Sequence, residues 1–171
     1  AAGFSPIKLN AVLLRGVNDD EADDFIALTK DRPIHIRFIE YMPMGDSDQA
    51  NLRVTGDELL AARPYLESLP PLYPSQPSRD YRLPGAVGRV GLINPVSHLF
   101  CSRCNRVRVM SDGVLRPCLG DNLEFSLKEA LESGDDAALV ERIRSAVWEK
   151  PETHGFGGAF CTARTMSRIG G

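Results

Sequence analysis

Apolar and polar residues alternate along two short segments near the start of the chain, and this period-2 pattern predicts two β-strands. The strands are predicted over Ile7–Leu14 and Ile34–Glu40. Between them a helix is predicted to begin at Asn18, with Glu21 three residues later in a capping-box-like position, and to end at Pro33. Strand, helix and strand in this order form a βαβ unit, which implies parallel strands with a right-handed crossover.

Each of these two strands carries polar side chains on one face only. The polar residues sit between apolar ones, and they are Lys8, Asn10, His35 and Arg37. Because helices must cover the apolar faces, the mostly basic side chains should project to the opposite side. An ordinary parallel sheet is apolar on both faces, so the pattern favours an open barrel with a solvated lumen. A sheet edge that is simply exposed to water would show the same pattern.

The rest of the chain is predicted to contain a proline-rich loop, two hairpins and three helices. Thr55, with Glu58 three residues later, forms a capping box and begins the first of these helices. In chain order, the other predicted segments are a loop over 69–81, hairpins over 81–93 and 107–118, and helices over 127–131 and 137–148. Trp148 is spaced with Val140 and Ile143 along the last helix, so it is predicted to lie in the core.

The composition is that of an ordinary soluble globular protein, with 43% hydrophobic and 25% charged residues in a chain of 171. A net charge of −3 gives no reason to expect a nucleic-acid or membrane-surface binder. No apolar run approaches the roughly 20 residues that cross a bilayer, and the first residues lack the features of a signal peptide. The predicted location is the cytoplasm, where clustered cysteines favour metal binding over disulfides.

Three of the four cysteines lie close together in the sequence. Two residues separate Cys101 from Cys104, and a predicted hairpin brings Cys118 back to them. Structural zinc normally takes four protein ligands, whereas a cubane iron–sulfur cluster held by three thiolates leaves one iron open. The candidates for a fourth ligand stand at no usual paired spacing: His98, His154 and Cys161. Iron–sulfur is therefore favoured, with zinc and the absence of any metal as alternatives.

Two arginines alternate along the strand that follows Cys104, so Arg106 and Arg108 should share one face. Guanidinium groups bind phosphates through two parallel hydrogen bonds and stay charged at physiological pH. Without context, such a pair would be interpreted as a solvated strand face. Beside a metal with an open position, and with Lys8 and Arg37 facing a lumen, phosphate binding becomes the better interpretation.

Four stretches carry a resemblance to a known family. They are Lys8–Val12 with Gly16–Asp19, Arg37–Pro43, Cys101–Leu119, and Met166–Gly171. The cysteine stretch, with its Arg-Pro-Cys-Leu end, and the double-glycine tail are the most specific. From about residue 3 to its end, the chain resembles the GTP 3′,8-cyclase family, the radical-SAM enzymes that open molybdenum cofactor biosynthesis.

The resemblance implies roles for individual residues. Cys101, Cys104 and Cys118 would hold a [4Fe–4S] cluster whose open iron binds the guanine of GTP. The implied substrate-binding residues, mainly for the phosphates, are Lys8, Arg37, Arg106, Val107 and Arg108. Met42 would contact S-adenosylmethionine, and the tail residues Gly170 and Gly171 would enter the active site as catalytic residues.

The resemblance also implies a fold and a reaction. The fold is α/β, namely the C-terminal part of an incomplete TIM-type (βα) barrel followed by a small β-rich/α cluster-binding subdomain. Barrel units are expected over 1–68, a linker over 69–80, and the cluster- and GTP-binding region over 81–171. The reaction converts GTP to (8S)-3′,8-cyclo-7,8-dihydroguanosine 5′-triphosphate through a 5′-deoxyadenosyl radical. The product would pass to cyclic pyranopterin monophosphate synthase, and the family allows a homodimer.

One departure from the family limits this expectation. The family's N-terminal Cys-x3-Cys-x2-Cys motif, which binds a second [4Fe–4S] cluster and cleaves S-adenosylmethionine, does not occur in this sequence. The chain is therefore expected to be the GTP-binding, C-terminal half of the enzyme and to be inactive alone. The alternatives are an isolated, inactive iron–sulfur nucleotide-binding module and a zinc-stabilised phosphate-binding module.

Overall fold

The computed structural model describes residues 2–44, 50–156, 160, 162–164 and 169. The chain divides into two compact units: the first is Ala1–Met42 with Gln49–Arg103, and the second is Pro43–Asp48 with Cys104–Gly171. Both helices and strands are present, so the predicted α/β class is confirmed. Among the described residues, no helix has the length and apolar character needed to span a bilayer.

The first unit is built on a five-stranded mixed sheet. Its strands are β1 (Ile7–Val12), β2 (Ile34–Ile39), β3 (Glu67–Leu69), β4 (Arg79–Arg82) and β5 (Arg89–Ile93). They lie in the order β1-β2-β5-β4-β3. β1, β2 and β5 run parallel, while β3 and β4 are antiparallel to their neighbours. The two early strands, their parallel pairing and the first hairpin are thus confirmed.

Two short helices and the sheet enclose the core of the first unit. The helices are α1 (Ala22–Ala27) and α2 (Gly56–Ala61). The buried apolar cluster consists of Leu13, Ala22, Ile26, Ile36, Phe38, Leu59, Leu66, Val90 and Leu92. Removing this apolar surface from water is the main force that holds the helices against the sheet.

The starts of the two helices differ in how well the sequence predicts them. Thr55 and Glu58 form the predicted capping box: Thr55 Oγ1 accepts from Glu58 N at 3.2 Å, and a Glu58 carboxylate oxygen accepts from Thr55 N at 2.8 Å. Asn18 does precede the first helical turn, but the predicted side-chain cap is absent. Its side-chain oxygen instead accepts from Leu14 N at 2.7 Å, and a 3-10 turn over Asp19–Glu21 precedes α1.

The second unit combines a three-stranded antiparallel sheet with two helices. Its elements are β6 (Arg108–Val109), β7 (Val114–Arg116), β8 (Phe125–Ser126), α3 (Lys128–Ser133) and α4 (Asp136–Trp148). The strands lie in the order β6-β7-β8, and the core contains Leu115, Leu127 and Ala146. The second predicted hairpin and both late helices are confirmed.

The prediction that Trp148 is a core residue is wrong, because its side chain is 91% exposed. Ala146 is the buried residue of α4, and Leu139 packs on the same core. Trp148 follows Ala146 by two residues, which places it about 200° around the helix. Its spacing with Val140 and Ile143 defines a partly exposed face instead.

In the sequence, the long segment of the first unit ends at Arg103, and that of the second unit begins at Cys104. β4 and β5 complete the sheet that contains β1 and β2, so the first hairpin belongs to the first unit. The sequence-based limits stay predictions: barrel units over 1–68, a linker over 69–80, and a cluster- and GTP-binding region over 81–171.

A buried carboxylate fixes the chain that leaves β5 toward Cys101. Glu40 directly follows β2 and is 2% exposed. One of its oxygens accepts from the backbone N–H groups of Val96 and Ser97 at 3.0 and 2.9 Å. Within the described part of the chain, the other oxygen has no hydrogen-bond partner. Glu40 therefore supplies the acceptor that these two amides lose where the sheet ends.

We expect Glu40→Ala to lower the free energy of unfolding by about 1–3 kcal/mol, because two part-buried amides lose their acceptor. Glu40→Gln keeps one acceptor oxygen and should lose less. Urea denaturation followed by circular dichroism measures both effects. Glu67→Ala, at an exposed position of β3, is the control. Equal stability of Glu40→Ala and Glu67→Ala would contradict this role.

Candidate functional site

The three clustered cysteines lie on turns at the ends of regular elements. Cys101 begins a 3-10 turn over Cys101–Arg103 in the first unit. Cys104 follows that turn, and Cys118 lies two residues after β7, both in the second unit. All three thiols are partly buried, and none is in a disulfide. Cys161 lies outside the described residues.

In the described part of the chain, no group of three or more His, Cys, Asp or Glu side chains is arranged to hold a metal ion. The three-thiolate site therefore stays a prediction from the sequence. The chemistry of its individual members still bears on whether a metal cluster fits.

Two cations lie beside the thiol of Cys104. Lys150 Nζ is 3.4 Å from its sulfur, and Arg106 Nη2 is 3.6 Å from the same atom. Lys150 is held in place by the carbonyl oxygens of Cys104 and Arg106, at 3.0 and 2.7 Å. This arrangement stabilises negative charge on the sulfur.

The pKa of Cys104 is lowered as a result. Burial raises this pKa, but hydrogen bonds from the backbone and side chain of Arg106, together with the charges of Arg106 and Lys150, outweigh it. Metal ligation requires the thiolate. Cys104 thus has the chemistry expected of a cluster ligand.

The residues beside Cys104 also include the predicted phosphate ligands. Arg108 is half-buried and donates to the carbonyl oxygen of Ile169 at 3.4 Å, whereas Arg106 and Val107 are exposed. The pKa of Arg108 is lowered, first by burial and then by the positive charges of Arg106 and Arg116. β6 begins only at Arg108, so the two arginines do not lie on one continuous strand.

A second cluster of basic groups lies on the polar face of the sheet in the first unit. Lys8, His35 and Arg89 are paired in register across β1, β2 and β5. Arg37 Nε donates to Asn10 Oδ1 at 2.8 Å, so these two predicted polar residues do share a face. The predicted polar face is confirmed.

The side chains on this face surround a cavity that is not purely basic. Burial lowers the pKa of His35, and the charges of Arg89, Lys8 and Arg37 lower it further, while Asp80 opposes them. Asp80 is itself buried and lies 3.5 Å from Arg89. The cavity thus favours the neutral form of His35, because its pKa is lowered, while presenting cationic groups from β1 and β2.

Gly91 gives Arg37 the space to cross β5. A Cβ atom at this position would lie 3.1 Å from Arg37 Cγ and 3.3 Å from Asp80 Oδ1. Both distances are tighter than ordinary contact, so a larger residue would displace the guanidinium. Sequence analysis assigned no role to Gly91.

The remaining predicted site residues are only partly described. Met42 is half-buried and lies three residues beyond the C-terminal end of β2. Gly170 and Gly171 lie outside the described residues. Two residues that sequence analysis missed are Glu40 and Lys150, whose partners are 56 and 46 positions away. No local spacing signals such contacts.

Comparison with known proteins identifies the family. The Molybdenum Cofactor Synthesis C family matches residues 34–156. The chain belongs to this family. The GTP 3′,8-cyclases of Alkaliphilus oremlandii and Geobacter sulfurreducens are 44% and 45% identical to it, over 99% and 100% of the chain and 53% and 54% of their own lengths. The enzyme of that name from Moorella thermoacetica is 43% identical over 100% of the chain and 54% of its own length.

The chain spans about half the length of the curated relatives it matches, and it corresponds to their C-terminal half. The family resemblance found in the sequence is therefore confirmed.

We expect Lys150→Met to raise the pKa of the Cys104 thiol, because it removes a positive charge near the sulfur. At pH 7 a smaller fraction is then thiolate, and alkylation by iodoacetamide slows. Mass spectrometry of the Cys104 peptide across a pH series measures this change in the reduced, metal-free protein. Lys128→Met, which removes an exposed ammonium on α3, is the control. An alkylation profile of Lys150→Met that coincides with that of Lys128→Met would contradict the electrostatic role.

Proposed function

We propose that this chain is the GTP-binding, C-terminal half of a GTP 3′,8-cyclase of molybdenum cofactor biosynthesis. The observation that carries the proposal is the identity of 44–45% to relatives of that name over 99–100% of the chain. The whole enzyme would convert GTP to the 3′,8-cyclo nucleotide by a radical mechanism. Its product would pass to cyclic pyranopterin monophosphate synthase in the cytoplasm, and the family allows a homodimer.

Cys101, Cys104 and Cys118 are proposed to hold a [4Fe–4S] cluster. The donor set fits this group, because all three thiols are outside disulfides and the pKa of Cys104 is lowered by Arg106 and Lys150. When bound, the cluster supplies an iron with an open coordination position for the guanine base. The chain's own part is to hold three thiolates and to keep cations beside them.

The basic residues are proposed to bind the rest of the nucleotide. Arg106 and Arg108, with Val107 between them, would contact GTP beside the cluster, and Lys8 and Arg37 would bind phosphates on the polar face of the sheet. Guanidinium groups suit phosphate because their N–H groups match two oxygens at once. Burial and, after it, the positive charges of Arg106 and Arg116 lower the pKa of Arg108, and a bound anion would relieve the repulsion between these charges.

The remaining assignments concern the radical chemistry of the whole enzyme. Met42 is proposed to contact S-adenosylmethionine, and Gly170 and Gly171 to enter the active site. A second [4Fe–4S] cluster would be held by the N-terminal half that the relatives possess. These assignments rest on the family resemblance.

β1, β2 and β5 are proposed to be strands of an incomplete TIM-type barrel. Three features support this: the strands are parallel, one face is polar, and the apolar residues Ile7 and Leu9 of β1 are 43% and 38% exposed. In the described structure β1 has a neighbouring strand on one side only. A further βα unit on the other side would cover these residues and pair the free edge.

We expect anaerobic reconstitution with iron and sulfide to give a brown protein with about four irons per chain. Replacing Cys101, Cys104 or Cys118 by alanine should abolish this, whereas Cys161→Ala should keep it. Iron analysis and visible absorption measure the outcome. A colourless protein with stoichiometric zinc would instead support a zinc-stabilised module and contradict the cluster.

We expect Arg108→Ala to weaken GTP binding by about tenfold or more, because hydrogen bonds to charged groups contribute about 1.5–3 kcal/mol. Iron content should not change. Calorimetric titration of the reconstituted chain with GTP gives the affinity. Arg144→Ala, which removes an exposed guanidinium of α4, is the matched control. If both variants bind GTP like the unmodified chain, Arg108 has no role in substrate binding.

A further inference from the structure

Arg116, the last residue of β7, has a completely buried side chain with 0% exposure. Burying a guanidinium is strongly unfavourable unless its charge and its N–H groups find partners. Most of the partners of Arg116 are oxygens of the loop that follows it, residues 117–122. This loop carries Cys118.

The guanidinium draws two carbonyl groups of that loop together. Its Nε donates to the carbonyl oxygen of Cys118 at 3.3 Å and to that of Asp121 at 2.8 Å. Its Nη2 also donates to the carbonyl oxygen of Asp121, and to Asn122 Oδ1 at 2.9 Å. Because the donors belong to one rigid plane, they close the backbone from 118 to 121 into a turn of fixed shape.

Charge-assisted hydrogen bonds of this kind are stronger than neutral ones. The third nitrogen, Nη1, lies 3.7 Å from a carboxylate oxygen of Glu124 and has no hydrogen-bond partner among the described residues. The main contacts of the buried charge are thus with the loop itself, and Nη2 also donates to Thr162 Oγ1 at 3.4 Å.

Neighbouring residues restrict the same loop from other sides. Pro117 is fully buried, and Gly155 N donates to the carbonyl oxygen of Gly120 at 2.7 Å. Asn122 Oδ1, already bound to Arg116, also accepts from Ala163 N at 3.0 Å. The backbone on both sides of Cys118 is therefore fixed, and Arg116 lies at the centre of the contacts.

We propose that Arg116 is a positioning residue for metal binding, which sets the direction of the Cys118 thiol by holding the carbonyl groups of Cys118 and Asp121. In this role it touches neither metal nor substrate. The inference rests on the proposed function in one respect, that Cys118 is a metal ligand. Groups that orient metal ligands through hydrogen bonds typically change metal affinity by about 10–100-fold when they are replaced.

The test is a titration of the reduced, anaerobic chain with Co²⁺, whose thiolate charge-transfer absorption reports the number of bound sulfurs. Arg116→Lys keeps the positive charge but loses the planar fork. We expect about 10–100-fold weaker cobalt binding and a lower charge-transfer intensity per bound cobalt. A purely structural role would change stability without changing this spectrum.

Arg164→Lys is the matched control. Arg164 pairs with Asp112 at 2.6 Å and Glu124 at 2.8 Å in the same unit, so its guanidinium binds carboxylates rather than the carbonyl groups of the Cys118 loop. The control should keep both the cobalt affinity and the spectrum of the unmodified chain. Circular dichroism of the metal-free variants establishes that each is folded.

A folded Arg116→Lys variant with unchanged cobalt affinity and spectrum overturns the inference. If that variant does not fold, Asn122→Ala decides, because it removes one acceptor of the guanidinium and should weaken cobalt binding by about tenfold. Unchanged binding in Asn122→Ala then overturns the inference. If the unmodified chain itself shows no thiolate–cobalt absorption, the proposed metal site and the inference both fail.

Discussion

Backbone groups that leave a β-sheet lose their ladder partners, and buried charged side chains replace those partners at two strand ends of this chain. Glu40, after β2, accepts from two amides of the segment that leads to Cys101. Arg116, at the end of β7, donates to two carbonyls of the loop that carries Cys118. A carboxylate can only accept and a guanidinium can only donate, so each matches the polarity of the backbone groups it meets. The shape of both cysteine segments depends on these two charges.

Because side chains alternate along the strands of the first unit, an apolar face packed in the core and a polar face on the opposite side arise together. Ile36 and Phe38 of β2 are buried in the core, so His35 and Arg37 must project from the other face. That face is then too polar to be packed by another apolar layer. Three features reduce the electrostatic cost of this polar face. They are the lowered pKa of His35, the ion pair of Arg89 with Asp80, and the hydrogen bond of Arg37 to Asn10. A one-residue shift of β2 would bury these groups and expose the core.

Sequence analysis succeeded where the determining contacts are local. The capping box joins Thr55 to Glu58, three residues later, so it was predictable from the sequence. The faces of β1 and β2 were predictable too, because polar and apolar residues alternate along both strands. The side-chain cap predicted for Asn18 is absent because its side-chain oxygen accepts from an equally local competitor, the backbone amide of Leu14.

The positions that sequence analysis missed have partners far along the chain. Lys150 contacts Cys104, which is 46 positions away in the sequence, and no rule of composition or spacing predicts that contact. Arg116 is a different case, because most of its hydrogen-bond partners follow within six residues, but an arginine before Pro-Cys does not reveal that its side chain turns inward. Burial of a charge is a property of the folded unit.

The electrostatics around Cys104 decide between an inert thiol and a proposed metal ligand. The chain as a whole has a net charge of −3, yet Arg106 and Lys150 both lie within 3.6 Å of this sulfur. Two carboxylates of the same unit, Asp112 and Glu124, are engaged by Arg164. Concentrating cations in this way adds like-charge repulsion: the pKa of Arg108 is lowered first by burial and then by the positive charges of Arg106 and Arg116. A thiolate offsets part of that repulsion, and a bound cluster and nucleotide, as proposed, would offset more of it. The same charges that make the free site costly would therefore make it selective for anionic ligands.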